Sequence, residues 1–143
     1  MRRTLSRAEL DRFDGLEPAF ASTVRGLIVG LDAWCATYPF GLHLIYGYRS
    51  LGEQAELYST GRTKPGKIVT NAKPGSSAHN YGLAVDLAFL ADAAPRAYVA
   101  DSHPAWMELC VRAEGLGLVS GARWKMRDLG HVEAADWRKR VAK

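Results

Sequence analysis

The sequence predicts an α+β fold in which helices pack on one face of a small, mainly antiparallel sheet and a metal site occupies the other. Three observations carry this expectation. Apolar residues recur at helical spacing over residues 18–38 and 104–115, short segments near 42–48, 83–89 and 129–133 read as extended, and glycine and proline punctuate the intervals. The 143 residues make one domain, 1–143, by length. Such a chain buries roughly 68–70% of the surface its unfolded form exposes, so it needs no disulfide staple.

Ser6 and Glu9 form a capping box that starts a short helix. Pro18 suits the first turn of a longer helix reaching about Tyr38, with Val24, Leu27, Ile28, Leu31, Trp34, Cys35 and Tyr38 on its apolar stripe. Pro39 ends it. A strand over 42–48 follows, and Ser50 with Glu53 repeats the capping box to open a helix to about Thr60. Gly61, Pro65, Gly66, Pro74 and Gly75 make 61–78 a long loop, and such loops in compact domains are usually functional or disordered. From Leu83 the residues alternate. Leu83, Val85, Leu87 and Phe89 face one way, and Ala84, Asp86 and Ala88 the other, so Asp86 projects into a pocket lined by small side chains. Pro104 opens a helix to about Gly115, whose stripe holds Trp106, Leu109, Cys110 and Ala113, and Gly117 leads into a short extended piece. A strand over about Leu129–Glu133 and a closing helix over Ala134–Val141 complete the chain. Cys35 and Cys110 lie on apolar stripes without the paired spacing of a thiolate site, and are expected as buried thiols.

Two segments carry the chemistry: Ser77-Ala-His79-Asn-Tyr-Gly82-Leu-Ala84-Val-Asp86 and Asp128-Leu-Gly-His131-Val-Glu133. His79, Asp86 and His131 supply the three protein ligands of a hydrolytic zinc site, which leaves a fourth position to water. An acid within an apolar strand is costly to bury without a partner or a metal. Leu129, His131 and Glu133 share a face if that segment is extended, and Gly130 permits close backbone approach. Asp128 then sits at the mouth of the strand, although Arg-Asp-Leu-Gly also reads as a turn in which the Asp bonds its own backbone. Glu133 is either a base or a support for the His131 imidazole. Arg49 is either a surface cation or a functional group at a strand-to-helix junction, where sites gather. His43 and His103 lack ligand-type neighbours and read as core or surface residues.

These motifs resemble the zinc peptidases of the D-alanyl-D-alanine carboxypeptidase and dipeptidase group. Gly47-Tyr48-Arg49-Ser50, Glu53-Gln54, Leu57-Tyr58, Gly61-Arg62-Thr63 and Pro65-Gly66 bring the resemblance closest to its L-alanyl-D-glutamate endopeptidase branch, which includes many bacteriophage endolysins. It covers about Leu42 to Glu133. It implies a hedgehog/DD-peptidase-like fold, zinc held by His79, Asp86 and His131, Asp128 as general base, Arg49 facing the scissile carbonyl, and Ser77 beside the first ligand as a substrate-binding residue. The implied substrate is the stem peptide of bacterial peptidoglycan, cut between L-Ala and D-Glu. Rival readings are a D-Ala-D-Ala carboxypeptidase or dipeptidase, and a non-catalytic domain that holds wall peptides.

The formal charge of +4 suits a polyanionic neighbourhood such as wall polymer. Basic residues gather as Arg2-Arg3 with Arg7 and as Arg138-Lys139-Arg140 with Lys143, and read as aids to solubility and loose adhesion. The loop cations Arg62, Lys64, Lys67 and Lys73 either meet stem carboxylates or are simply solvated. No zinc-finger spacing, aromatic ribonucleoprotein motif or helix-turn-helix supports a nucleic-acid partner. The first residues lack the apolar core of a secretory signal, and no apolar run is read as reaching transmembrane length. The expectation is therefore a monomer without stable membrane insertion, cytoplasmic before lysis and released to the wall through a separate holin-type pore, an endolysin with antimicrobial activity.

Overall fold

The computed structural model describes residues 5–142. Four strands, β1 (Phe40–Tyr46), β2 (Ala84–Ala91), β3 (Leu118–Ser120) and β4 (His131–Ala134), form an antiparallel sheet in the order β1-β2-β4-β3. Five helices accompany it: α1 (Arg7–Arg12), α2 (Pro18–Trp34), α3 (Leu51–Ser59), α4 (Ala105–Gly115) and α5 (Trp137–Val141). The α+β architecture is the one the sequence predicts.

The register sorts the side chains by face. Leu42 stands opposite Phe89, Leu44 opposite Leu87, and Val85 opposite Val132, so these residues make one apolar layer. α2 and α4 cover that layer, and Val24, Leu27, Ile28 and Leu31 of α2 join Leu109 and Ala113 of α4 in the core. Burying each such aliphatic side chain contributes about 1.5–3 kcal/mol. The opposite face carries Ala84, Asp86 and Ala88, and across from Asp86 lies His131.

Local chemistry sets the element ends. Both predicted capping boxes form, at Ser6 with Glu9 and at Ser50 with Glu53, and Pro18 opens α2. The predicted helix to Tyr38 stays α-helical to Trp34 and tightens into a 3₁₀ turn over Cys35–Thr37. β1 begins two residues earlier than expected, with Phe40 paired to Ala91. It ends at Tyr46 because the next carbonyl, that of Gly47, faces the ring Nδ1 of His79 at 2.8 Å instead of a strand neighbour. β4 starts at His131 rather than Leu129, and Ala134 belongs to it, so the closing helix is confined to Trp137–Val141. The exposed edge of β1 is closed by α1: Glu9 accepts the Leu44 N–H at 3.1 Å and Arg12 donates to the Leu44 carbonyl at 2.9 Å.

One sequence expectation needs correction. The 20 residues Pro18–Thr37 are long and apolar enough to cross a membrane by length and composition. In the fold, the apolar stripe of this helix is turned into the core, with Val24 and Leu31 fully buried. Cys35 and Cys110 are buried thiols, as expected. Of the basic groups at the two ends, Arg2, Arg3 and Lys143 lie outside the described residues.

Candidate metal centre

The site is built on the sheet face opposite α2 and α4. That face is not free of helices, contrary to the sequence expectation, because Leu57 of α3 and Trp137 and Arg138 of α5 line the cleft. Ser77 caps a 3₁₀ turn over Ala78–Tyr81 by accepting the His79 N–H at 3.3 Å, and this turn carries His79 to the start of β2. Asp86 projects from β2, and His131, its cross-strand partner, projects beside it from β4. Gly130 allows this register. A Cβ there would fall 2.0 Å from the Leu87 carbonyl oxygen, while the Leu87 N–H donates to the Gly130 carbonyl at 2.8 Å. The close backbone approach expected at Gly130 is therefore present.

One donor atom from each of His79, Asp86 and His131 lies within 4.8 Å of the others. His79 Nε2 is 3.4 Å from Asp86 Oδ2, and His131 Nδ1 is 3.1 Å from Asp86 Oδ1. Each imidazole holds its other nitrogen against an acceptor. His79 Nδ1 meets the Gly47 carbonyl at 2.8 Å, and His131 Nε2 meets Glu133 Oε1 at 2.7 Å. Such outer partners are how metal-ligating histidines have their tautomer and ring orientation set. Two oriented nitrogens and a carboxylate, mostly buried, fit a divalent cation of the zinc type.

The electrostatics agree with that donor set. Burial pushes the Asp86 carboxyl upward, but its hydrogen bonds with His131 and His79 and their charge outweigh burial and hold it well below the carboxylate range. Burial lowers His131, and the bonds to Asp86 and Glu133 overcome it and raise the imidazole to about 9. Asp128, at the cleft wall, is raised above its usual value by partial burial and then by the negative charge of Asp86.

The structure brings all six predicted site residues to one cleft of about 410 Å³: Arg49, Ser77, His79, Asp86, Asp128 and His131 all line it. Arg49 lies 3.9 Å from Asp86 Oδ2 and donates to the buried Gln54 Oε1 at 3.0 Å. Both oxygens of Glu133 are engaged, one with His131 and the other by the Trp137 indole N–H at 2.8 Å. This is the support arrangement rather than that of a base. His43 and His103 lie elsewhere, His43 3.4 Å from Glu9 and His103 between Tyr38 and Phe40. In the loop, Arg62 bonds the carbonyls of Tyr58 and Thr70, and Lys64 pairs with Glu56, so those two cations brace the chain.

Sequence reading missed several supports. Gln54 holds Arg49 and ties it to the loop through the Ala72 carbonyl at 2.8 Å, and Asn80 donates to the Arg49 carbonyl at 3.0 Å. Trp124 packs 4.9 Å from the His131 ring. At Gly121 a Cβ would meet the Asp128 carbonyl oxygen at 2.5 Å and the His131 Cβ at 3.1 Å, so glycine lets the turn after β3 pack closely against the segment that carries Asp128 and His131. A polar residue early in the helix that follows Arg49 was a usable signal for Gln54. Gly121 had none, because its contacts with Asp128 and His131 arise only when the irregular segment between them folds back.

A two-histidine, one-carboxylate cluster with an acid beside it, in an open cleft on an antiparallel sheet, is the constellation of a metal-dependent hydrolase. Residues 21–138 match the VanY family, D-alanyl-D-alanine carboxypeptidase, and the chain belongs to this family of zinc metallopeptidases. It is 40% identical over 110 residues to the peptidoglycan L-alanyl-D-glutamate endopeptidase CwlK of Bacillus subtilis, covering 72% of this chain and 66% of that protein. The fold is similar to that of the Serratia marcescens L-Ala D-Glu endopeptidase ChiX (TM-score 0.60, 18% identity, 92% and 90% of the two chains). It is also similar to that of a vancomycin resistance D,D-pentapeptidase VanY crystallised with Zn(II) (TM-score 0.54, 14% identity, 90% and 79%).

Proposed function

We propose that the chain is a zinc-dependent peptidoglycan endopeptidase that hydrolyses the L-Ala–D-Glu bond of the stem peptide. The observation that carries the reading is the convergence of His79 Nε2, Asp86 and His131 Nδ1 beside Asp128 in one cleft. The identity to CwlK supports the choice of bond.

His79, Asp86 and His131 would hold zinc, which would supply Lewis-acid polarisation of a carbonyl and acidification of water. Asp128 accepts a proton from the attacking water and returns it to the leaving amine; its raised carboxyl suits both halves of the transfer. The Arg49 guanidinium, held by Gln54, faces the carbonyl oxygen as negative charge develops there. The Ser77 hydroxyl accepts the His79 N–H, which leaves its own proton to donate to substrate. Trp124 and Glu133 keep the His131 ring in place.

The endolysin role belongs to the same proposal, with synthesis in the cytoplasm, a holin-type pore as the route to the wall, and a phage as source. The sequence resemblance supports it. Expression with and without a pore-forming protein tests it, and lysis confined to the pore-containing cells is the expected result.

The bond is tested by digesting purified peptidoglycan and identifying new chain ends by mass spectrometry. New N-terminal D-Glu with L-Ala left on the glycan side is expected. Release of free D-Ala alone would move the assignment to the carboxypeptidase activity that names the family.

A further inference from the structure

The basic run Arg138-Lys139-Arg140 on α5 is split by the fold. Arg140 pairs with Glu17 and lies 3.9 Å from Asp136, so it ties α5 to the start of α2. Arg138 instead lines the active-site cleft. Its guanidinium carbon lies 4.5 Å from the centroid of the Trp137 ring. That ring is itself fixed, because the Trp137 indole N–H donates to Glu133, whose other oxygen holds His131, and Tyr81 stacks on it at 5.9 Å. A cation is thus placed on a rigid platform linked directly to a metal ligand. Among the described residues no carboxylate pairs with it. Arg49, the other arginine of the cleft, is committed to Gln54 and Asp86.

A guanidinium that spends no hydrogen bonds on the described residues is equipped to receive a planar anion through two parallel N–H donors. The proposed substrate offers one near the reacting atoms. A D-glutamyl residue has two carboxyl groups, of which one continues the chain and the other stays free within a few bonds of the amine released by cleavage.

We propose that Arg138 is the carboxylate-binding residue of the cleft, and that it selects stems whose D-glutamyl residue keeps its free carboxylate over stems in which that group is a carboxamide. The inference rests on the proposed endopeptidase reading and names its substrate class more closely. A carboxamide presents one acceptor and a donor where the guanidinium needs two acceptors, and it carries no charge. Loss of one charge-assisted bidentate contact corresponds to roughly 10- to 100-fold in affinity.

The test is calorimetric binding of two synthetic L-Ala-D-Glu stem peptides, free acid and carboxamide, to the zinc-loaded Asp128→Asn protein, with and without Arg138→Ala or Arg138→Lys. With Arg138 present the acid should bind about 10 to 100 times more tightly than the amide. Arg138→Ala should bind the two equally, with unchanged zinc content, and Arg138→Lys should recover part of the preference through charge alone. Equal binding of acid and amide when Arg138 is present, no binding of either, or a preference that survives Arg138→Ala would overturn the assignment. Cleavage of the acid peptide by the unmodified enzyme is read separately. An intact acid preference without cleavage between L-Ala and D-Glu would sink the endopeptidase reading and leave the carboxylate site standing.

Discussion

Asp128 and His131 are three residues apart and have opposite duties in the proposed reaction, one to move a proton and the other to give one up. Asp128→Asn keeps the shape of the side chain and cannot accept a proton. It should therefore retain zinc and fold while turnover falls by about 10²–10⁴; near-normal turnover in the zinc-loaded variant would move the base elsewhere. His131 binds a proton well in the metal-free protein, being raised to about 9 by Asp86 and Glu133. The stabilisation this adds is complete below the ordinary imidazole value near 6.5 and is lost as pH climbs through about 9. Metal needs the neutral ring, so zinc loading at pH 7 should expel the His131 proton, and loading well above 9 should not. Calorimetry in buffers of different ionisation enthalpy measures the difference. Proton release independent of pH would show that His131 is neutral before metal arrives.

Strands β2 and β4 do for the site what no single residue can: their register puts Asp86 opposite His131. That register depends on the backbone contact at Gly130, where any side chain would meet the Leu87 carbonyl. Gly130→Ala should therefore push the strands apart, costing about 1–3 kcal/mol by analogy with overpacking. Zinc affinity should drop with it, by something like the 10–100-fold typical of disturbed outer support. Thermal melting and metal titration check both halves, and an unchanged affinity would mean that His131 is placed by Trp124 and Glu133 without help from the strand register. The alternation at 83–89 and both capping boxes were legible in the sequence because each depends on residues a few positions apart. The ends of β1 and β4 were not, since the Gly47 carbonyl turns to His79 and Ala134 donates to the Leu83 carbonyl, partners chosen by tertiary proximity.

Across the whole molecule, the three proposed ligands come from a turn and two strands that separate on unfolding, so metal should bind the folded chain far better than the unfolded one. At free zinc 1,000-fold above its dissociation constant, such linkage amounts to about 4 kcal/mol. Chelation should lower the melting temperature, added zinc should restore it, and His131→Ala should show neither response. A melting temperature indifferent to zinc in the unmodified protein would remove the metal from the structural role.

The sequence by itself determined the α+β class and singled out His79, Asp86 and His131 with the nearby acid Asp128, which the fold brings to one cleft, because strand alternation and short motif spacing are properties of neighbouring residues. Only the tertiary structure decided the rest. It placed Glu133 as a support by giving both its oxygens to His131 and Trp137. It required glycine at 121, where the Asp128 carbonyl and the His131 Cβ close on the backbone. It divided the closing basic run between an ion pair at Arg140 and a cleft position at Arg138. The Arg140–Glu17 pair joins residues 123 positions apart, and the contacts of Glu133 and Gly121, though closer in sequence, depend on how β4 and the turns beside it fold, which neighbouring residue types alone do not specify.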